Sequence, residues 1–438
     1  MGSFVPTTPS ERQQMLKTIG VGSVEELFRD VPQEMRIDGY LDLPSGKSEM
    51  ETLESVSALA EKNHVFRTCL RGAGSYRHYI PAAVKAIVNR EEFVTAYTPY
   101  QAEISQGILQ AIFEYQTMLC ELTGMDVSNA CVYDGGTAAA ESITMCRDRK
   151  RTKAYVSATT DPQVIEVMKT YCFGSDVELT VVPQKDGRTD PEALRSLLGQ
   201  DAACFYVQQP NFYGLLEEAE LLGEITHAAG AKYVMGVNPI SLAILKTPAE
   251  CGADVAVGEG QPLGLDTAFG GPYLGFMTAS SAMMRKLPGR IVGQTVDTEG
   301  EIGYVLTLSA REQHIRREKA SSNICSNEQL CAFTAAVYLS AMGEKSLRQA
   351  ATLCTSKAHY FAQQLEEKLG WKRVHPGEFF HEFVTECPDT EKALAALAKR
   401  DILGGLPVEG GILWCVTEVV TKERLDEAVA ILQEVSCG

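Results

Sequence analysis

Cys204-Phe-Tyr-Val207 and Tyr233-Val-Met-Gly-Val237 flank a helical stretch, Glu217–Ala229, and this unit decides the fold. Both runs are short, apolar at consecutive positions and rich in aromatic and β-branched residues, as strands buried on both faces are. Similar runs stand at Ala154–Val156, Leu179–Val182, Val255–Val257 and Tyr273–Met277, with helical patterns at Pro162–Tyr171 and Pro191–Leu198. Strand and helix alternating at this length predict an α/β fold with a mostly parallel central sheet and helices on both faces.

Outside this block the pattern changes. Residues 1–65 read as an N-terminal helical arm, with helices after Ser10 and Ser23 and across Lys47–Lys62. Residues 66–320 form the expected large α/β domain, and 321–438 a smaller α+β domain that opens with helices Glu328–Met342 and Leu347–Leu369. Tyr97-Thr-Pro-Tyr-Gln101 predicts a helix start, with Thr98 as N-cap, Pro99 in the first turn and Gln101 as the box partner. Ile104, Ile108, Ile112, Tyr115 and Leu119 are its expected apolar stripe, and Gly124 its end.

Composition narrows the function. The net charge of −17 over 438 residues argues against a nucleic-acid partner. The 13 cysteines show no C-x-x-C spacing and read as free thiols in a reducing compartment. No signal peptide and no apolar run of membrane-spanning length is evident, so the chain is expected to be cytoplasmic, with no membrane contact. No metal-binding, nucleophile-elbow, Walker or dinucleotide template is met.

Three segments are candidates for chemistry. Tyr133-Asp-Gly-Gly-Thr-Ala138 opens a helix, and reads either as a phosphate cradle or as a plain cap by Asp134, whose carboxylate would repel a phosphate. Asp254–Gly264 runs from a strand into a glycine-rich loop and continues through Phe269–Gly275, either for close backbone approach to a ligand or as a tight turn. Arg311–Lys319 is either a solvated helical face or an anion clamp by Arg311, Arg316 or Arg317.

Taken together, Arg71-Gly-Ala-Gly-Ser-Tyr76, Tyr97–Gly107, Asp134–Glu141, Gly258–Gly264 and Ser322-Asn-Ile-Cys325 resemble the glycine decarboxylase P-protein family. The likeness runs along the whole chain and is nearest to the alpha subunit (subunit 1) of the family's two-chain form. It implies a fold-type-I architecture like that of pyridoxal-phosphate transferases. It also implies a reaction. Glycine is decarboxylated on pyridoxal phosphate, and the aminomethyl group passes to the lipoyl arm of the H-protein.

That chemistry needs a Schiff-base lysine in the turn after a late strand. The matching position is Gln261, and no lysine occurs between Lys246 and Lys286. It needs an acid beside the pyridine nitrogen, and the matching position is Asn238. Asp134 stands at the phosphate turn. No catalytic or cofactor-binding residue is therefore expected in this chain. The resemblance implies that the cofactor belongs in a lysine-bearing beta subunit, and this chain is then expected to donate residues across the interface. Tyr97, Thr98, Tyr100 and Gln101 are the first candidates, followed by Arg71, Ser75, Tyr76, Ser321 and Asn323. Two alternatives stand beside this reading: a complete enzyme using Lys232 or Lys246, and a purely structural scaffold. Lys232 precedes its strand, which is the wrong end of the sheet for such a site.

Overall fold

The computed structural model describes residues 6–37, 39, 41–324 and 328–436, so Cys325 and Cys437 lie outside the described residues. The chain divides into two compact units, Met1–His64 and Val65–Gly438.

The first unit holds helices Pro9–Ile19 and Glu49–Ala60. Each starts with a reciprocal capping box, Thr8 with Glu11 and Ser48 with Glu51, and Gly20 closes the first at φ 86°. The first cap is thus Thr8 rather than Ser10, which lies inside the helix. Neither helix buries a single residue. Met15, Ile19, Leu53 and Val56 of these two helices are exposed, as is Phe28 between them.

The second unit is built on a seven-stranded sheet, whose strands we number in chain order: β1 Val127–Ser128, β2 Lys153–Ser157, β3 Leu179–Val182, β4 Ala202–Gln209, β5 Lys232–Val237, β6 Val255–Glu259 and β7 Gly275–Ala279. Their spatial order is β1-β7-β6-β5-β4-β2-β3. The pairs from β3 to β6 are parallel, while β7 runs antiparallel to both β6 and β1. Alternate residues feed two cores. Phe205, Val207, Tyr233 and Met235 pack into one. Cys204, Tyr206, Val234 and Val257 pack into the other, with Ala138 and Ile143 of helix Gly135–Cys146. That two-sided burial explains the continuous apolar runs, because each fully buried large side chain contributes about 1.5–3 kcal/mol.

Toward the C-terminus, helix Gln329–Leu369 is broken at Gly343, whose φ of 62° is left-handed. Strands Glu382–Thr385, Leu406–Val408 and Gly411–Cys415 make a small antiparallel sheet. Phe361, Phe383 and Trp414 fill its core, together with residues of helices Thr390–Ala398 and Lys422–Ser436. Among the described residues no helix is long and apolar enough to cross a membrane.

One expected element is corrected. The long helix ending at Gly124 runs Gln106–Thr123 and does not start at Thr98. The Tyr100 backbone N–H donates to the Thr98 carbonyl, closing a tight turn, and a 3-10 turn at Ala102–Ile104 follows. Pro99 is buried, and the Arg290 guanidinium donates to the Tyr100 hydroxyl and sits over its ring. These contacts hold the segment out of helical geometry. Ile112, Tyr115 and Leu119 form the buried stripe as expected, but Ile104 is exposed.

Candidate functional site

The carboxyl ends of β4, β5 and β6 open into a cleft of about 450 Å³, closed on its other sides by residues 73–76, the start of helix Gly135–Cys146, the start of helix Pro162–Ser175, and Gly270 and Tyr273. This is where a parallel sheet places its ligands. Asn238, Glu259, Asp134 and Asp161 line it.

Gln261 lies just beyond β6 and is 1% exposed. Its carbonyl oxygen accepts the Tyr76 backbone N–H at 2.9 Å, and its amide nitrogen donates to the Tyr76 and Leu265 carbonyls at 2.8 Å each. The side chain thus pins the 71–76 loop to the end of the sheet. Asn238 works as a turn residue, its side-chain oxygen accepting the Ile240 backbone N–H at 2.9 Å. Its amide is 3.5 Å from Nε2 of His381. That ring is buried and lies against Tyr76, centroids 4.7 Å apart and planes tilted by 40°. Burial, with His78 adding to it, pushes the His381 pKa down to about 3 and keeps the ring neutral.

At the helix start, Asp134 is the N-cap, accepting from the Thr137 backbone N–H at 2.6 Å. The Gly135 N–H donates to Glu259 at 2.9 Å, and the other Glu259 oxygen accepts from Gln261 and Leu274. Gly135 permits this approach, since a Cβ there would lie 2.9 Å from the Glu259 backbone nitrogen. Burial raises the Glu259 pKa to about 7, against the pull of its three N–H donors.

Pyridoxal phosphate asks three things of such a cleft: an amine for the imine, an acid at the pyridine nitrogen, and open donors for the phosphate. Gln261 and Asn238 are amides, and the Gly135 and Thr137 N–H groups already serve carboxylates. The residues present do not fit the cofactor. Lys232 pairs with Asp254 at the opposite, amino end of β5, and Lys246 pairs with Glu220 on the surface.

Of the other candidates, two reach this cleft and the rest do not. Ser75 and Tyr76 line it, the former 2.8 Å from the Tyr273 hydroxyl and the latter donating to Glu382 at 2.8 Å. Arg71 sits behind them, donating to the Gly404 and Gly405 carbonyls. Tyr97 is 77% exposed, Tyr100 and Gln101 are exposed, and Thr98 is half-buried. Tyr100 lies against His314, and Ser321 lines a second hollow with Arg285, Arg311, Arg316 and Lys319. Asn323 is exposed close by in sequence. Within Arg311–Lys319, Arg311 is half structural, donating to the Leu308 and Gly289 carbonyls. Glu259, Asp161, Tyr206, Tyr273 and Glu382 also stand at or behind the cleft, and no sequence motif singles them out. A lone carboxylate in the otherwise chargeless Gly258–Gly264 segment was the one available signal.

Comparison with known proteins places this architecture. The model of the family "Glycine cleavage system P-protein" matches residues 2–432. The probable glycine dehydrogenase (decarboxylating) subunit 1 of Desulfitobacterium hafniense is 46% identical, over 99% of this chain and all of that one. A crystal structure of glycine decarboxylase (P-protein) of the glycine cleavage system, in inhibitor-bound form, superposes with a TM-score of 0.90 at 41% identity, covering 99% of this chain and 100% of that one. The sphingosine-1-phosphate lyase of Burkholderia pseudomallei shares the fold alone, with a TM-score of 0.67 at 12% identity over 91% of this chain and 92% of that one. The architecture is that of the fold-type-I pyridoxal-phosphate enzymes, and the chain belongs to the glycine cleavage system P-protein family.

Proposed function

We propose that this chain is the lysine-less subunit 1 of glycine dehydrogenase (aminomethyl-transferring, decarboxylating), and that pyridoxal phosphate is held by a lysine-bearing partner subunit. The single observation that carries this is Gln261. An amide stands where the imine-forming amine belongs, and it is locked by three hydrogen bonds. In the assembled enzyme glycine is decarboxylated on the partner's cofactor, and the aminomethyl group passes to the lipoyl H-protein. This chain takes part by shaping the partner's site across the interface. The exposed Tyr97–Gln101 segment and the Ser321–Asn323 segment are its candidate contributions, since neither faces the chain's own cleft. The apolar residues left exposed on the N-terminal unit's helices suit a chain that works in an assembly.

The test is an exchange of labelled carbon dioxide into glycine, with H-protein present. This chain alone and the lysine-bearing subunit alone should give little or no exchange, and the pair should give full exchange. Tyr97→Phe in the pair should lower kcat about tenfold, the scale of one lost transition-state hydrogen bond, without loosening assembly. Exchange by this chain alone would sink the reading. An unchanged Tyr97→Phe pair would remove Tyr97 as a donor.

A further inference from the structure

The cleft that does not fit the cofactor is still a formed cavity, and its charge has a definite sign. Among its described lining residues stand three acids, Asp134, Asp161 and Glu259, and no lysine, arginine or histidine. Two helix N-termini face it, each worth roughly half a positive charge. The Asp134 and Asp161 carboxylates, with Glu259 partly ionised near pH 7, outweigh them and leave the cleft negative.

Asp161 is 7% exposed. One of its oxygens accepts the Gln163 backbone N–H at 2.8 Å as a helix cap, and its own backbone N–H donates to the Gln208 side chain at 2.9 Å. Neither Asp161 nor Asp134 has a side-chain cation among the described residues. Tyr206 supplies an independent sign of a ligand. It is only 3% exposed, lines the cleft beside Gly236, and its hydroxyl has no hydrogen-bond partner among the described residues. The side chain is buried, but its hydroxyl opens to the cleft rather than being sealed off, and so is available to bond what the cleft holds. Val164, Val167, Val237, Pro239 and Pro262 form an apolar stretch of the wall, beside the polar but uncharged Ser75, Gln163, Gln208, Asn238 and Tyr273.

We propose that this cleft binds a small primary ammonium ion carried on a short alkyl chain. The ammonium head donates to the Asp161 carboxylate and the Tyr206 hydroxyl, with Asp134 adding negative charge, and the chain lies along the valines and prolines. A hydrated divalent metal suits the site less well, since the apolar stretch of the wall offers it no side-chain oxygen. Phosphates and carboxylates are repelled. This goes beyond the subunit's part in glycine decarboxylation and does not depend on which residues reach the partner's site.

Calorimetric titration of the full chain with n-butylammonium chloride tests it, with butyrate and inorganic phosphate at equal ionic strength as controls. Butylammonium should bind with a dissociation constant of about 1 mM, butyrate and phosphate not at all. Asp161→Asn keeps the cap and should weaken binding about tenfold. Tyr206→Phe removes only an unbonded hydroxyl and should weaken it about threefold without lowering Tm. Three results would each overturn the proposal: no butylammonium heat at about fifty times that concentration, butyrate or phosphate binding as tightly as butylammonium, or unaltered affinity in a folded Asp161→Asn chain.

Discussion

Gln261 shows how much a single side chain settles. With three hydrogen bonds to two stretches of backbone, it is part of the frame rather than a vacant catalytic position. Replacing it by lysine, Gln261→Lys, should therefore not create a cofactor site. The new ammonium would lose the acceptor that the Tyr76 N–H needs and would be buried beside a cleft whose phosphate donors are already taken by Asp134 and Glu259. We expect a loss of about 3 kcal/mol in denaturant unfolding and no absorbance of a pyridoxal-phosphate imine. A stable Gln261→Lys chain showing that absorbance would contradict this account. The amide at 261 and the cap at Asp134 were both legible in the sequence. Glu259 was not, because its role depends on a helix start 124 residues away reaching the end of β6.

At the scale of elements, the cleft's near wall is held to the C-terminal sheet by buried acids. Glu382 accepts from the Ala73 N–H at 2.7 Å and the Tyr76 hydroxyl at 2.8 Å, and burial pushes its pKa to about 7. Glu418 accepts from the Tyr79 N–H at 2.7 Å and lies 2.7 Å from the His78 ring. A carboxyl whose folded pKa is raised stabilises most below its unfolded value, and that stabilisation is lost as pH rises through the folded value. Glu382 and Glu259 both sit near 7 against an ordinary 4.5. Tm should therefore rise as pH falls from about 8 to about 6.5. His381, depressed to about 3, acts in the opposite sense only below its ordinary 6.5. Glu382→Gln should flatten the slope in thermal melts, and a Tm that falls over that interval would refute the assignment. The elements themselves were largely readable. The break between the two C-terminal helices was expected after Met342 and falls at Gly343. The strand expected at Tyr273 begins at Gly275, because Tyr273 belongs to the loop that lines the cleft and meets Ser75. Thr98 misled because Thr-Pro-x-Gln is a good local cap signal, and the contacts of Tyr100 with Arg290 and His314 override it.

At the scale of the whole molecule, a pyridoxal-phosphate architecture is kept nearly end to end while the residues of its central cleft do not fit the cofactor. The alternating pattern from 150 to 280 made the sheet legible, since buried parallel strands and their covering helices write continuous apolar runs. What the cleft prefers was not legible, because its acids come from β6 and two helix starts that meet only in the folded chain. The central claim is that this chain forms no imine of its own. It is tested most directly by incubating the purified chain with pyridoxal phosphate, reducing with borohydride and mapping the labelled peptides. The account predicts scattered, substoichiometric labelling of surface lysines. One stoichiometric pyridoxyl-lysine would contradict it and make the chain a catalyst in its own right.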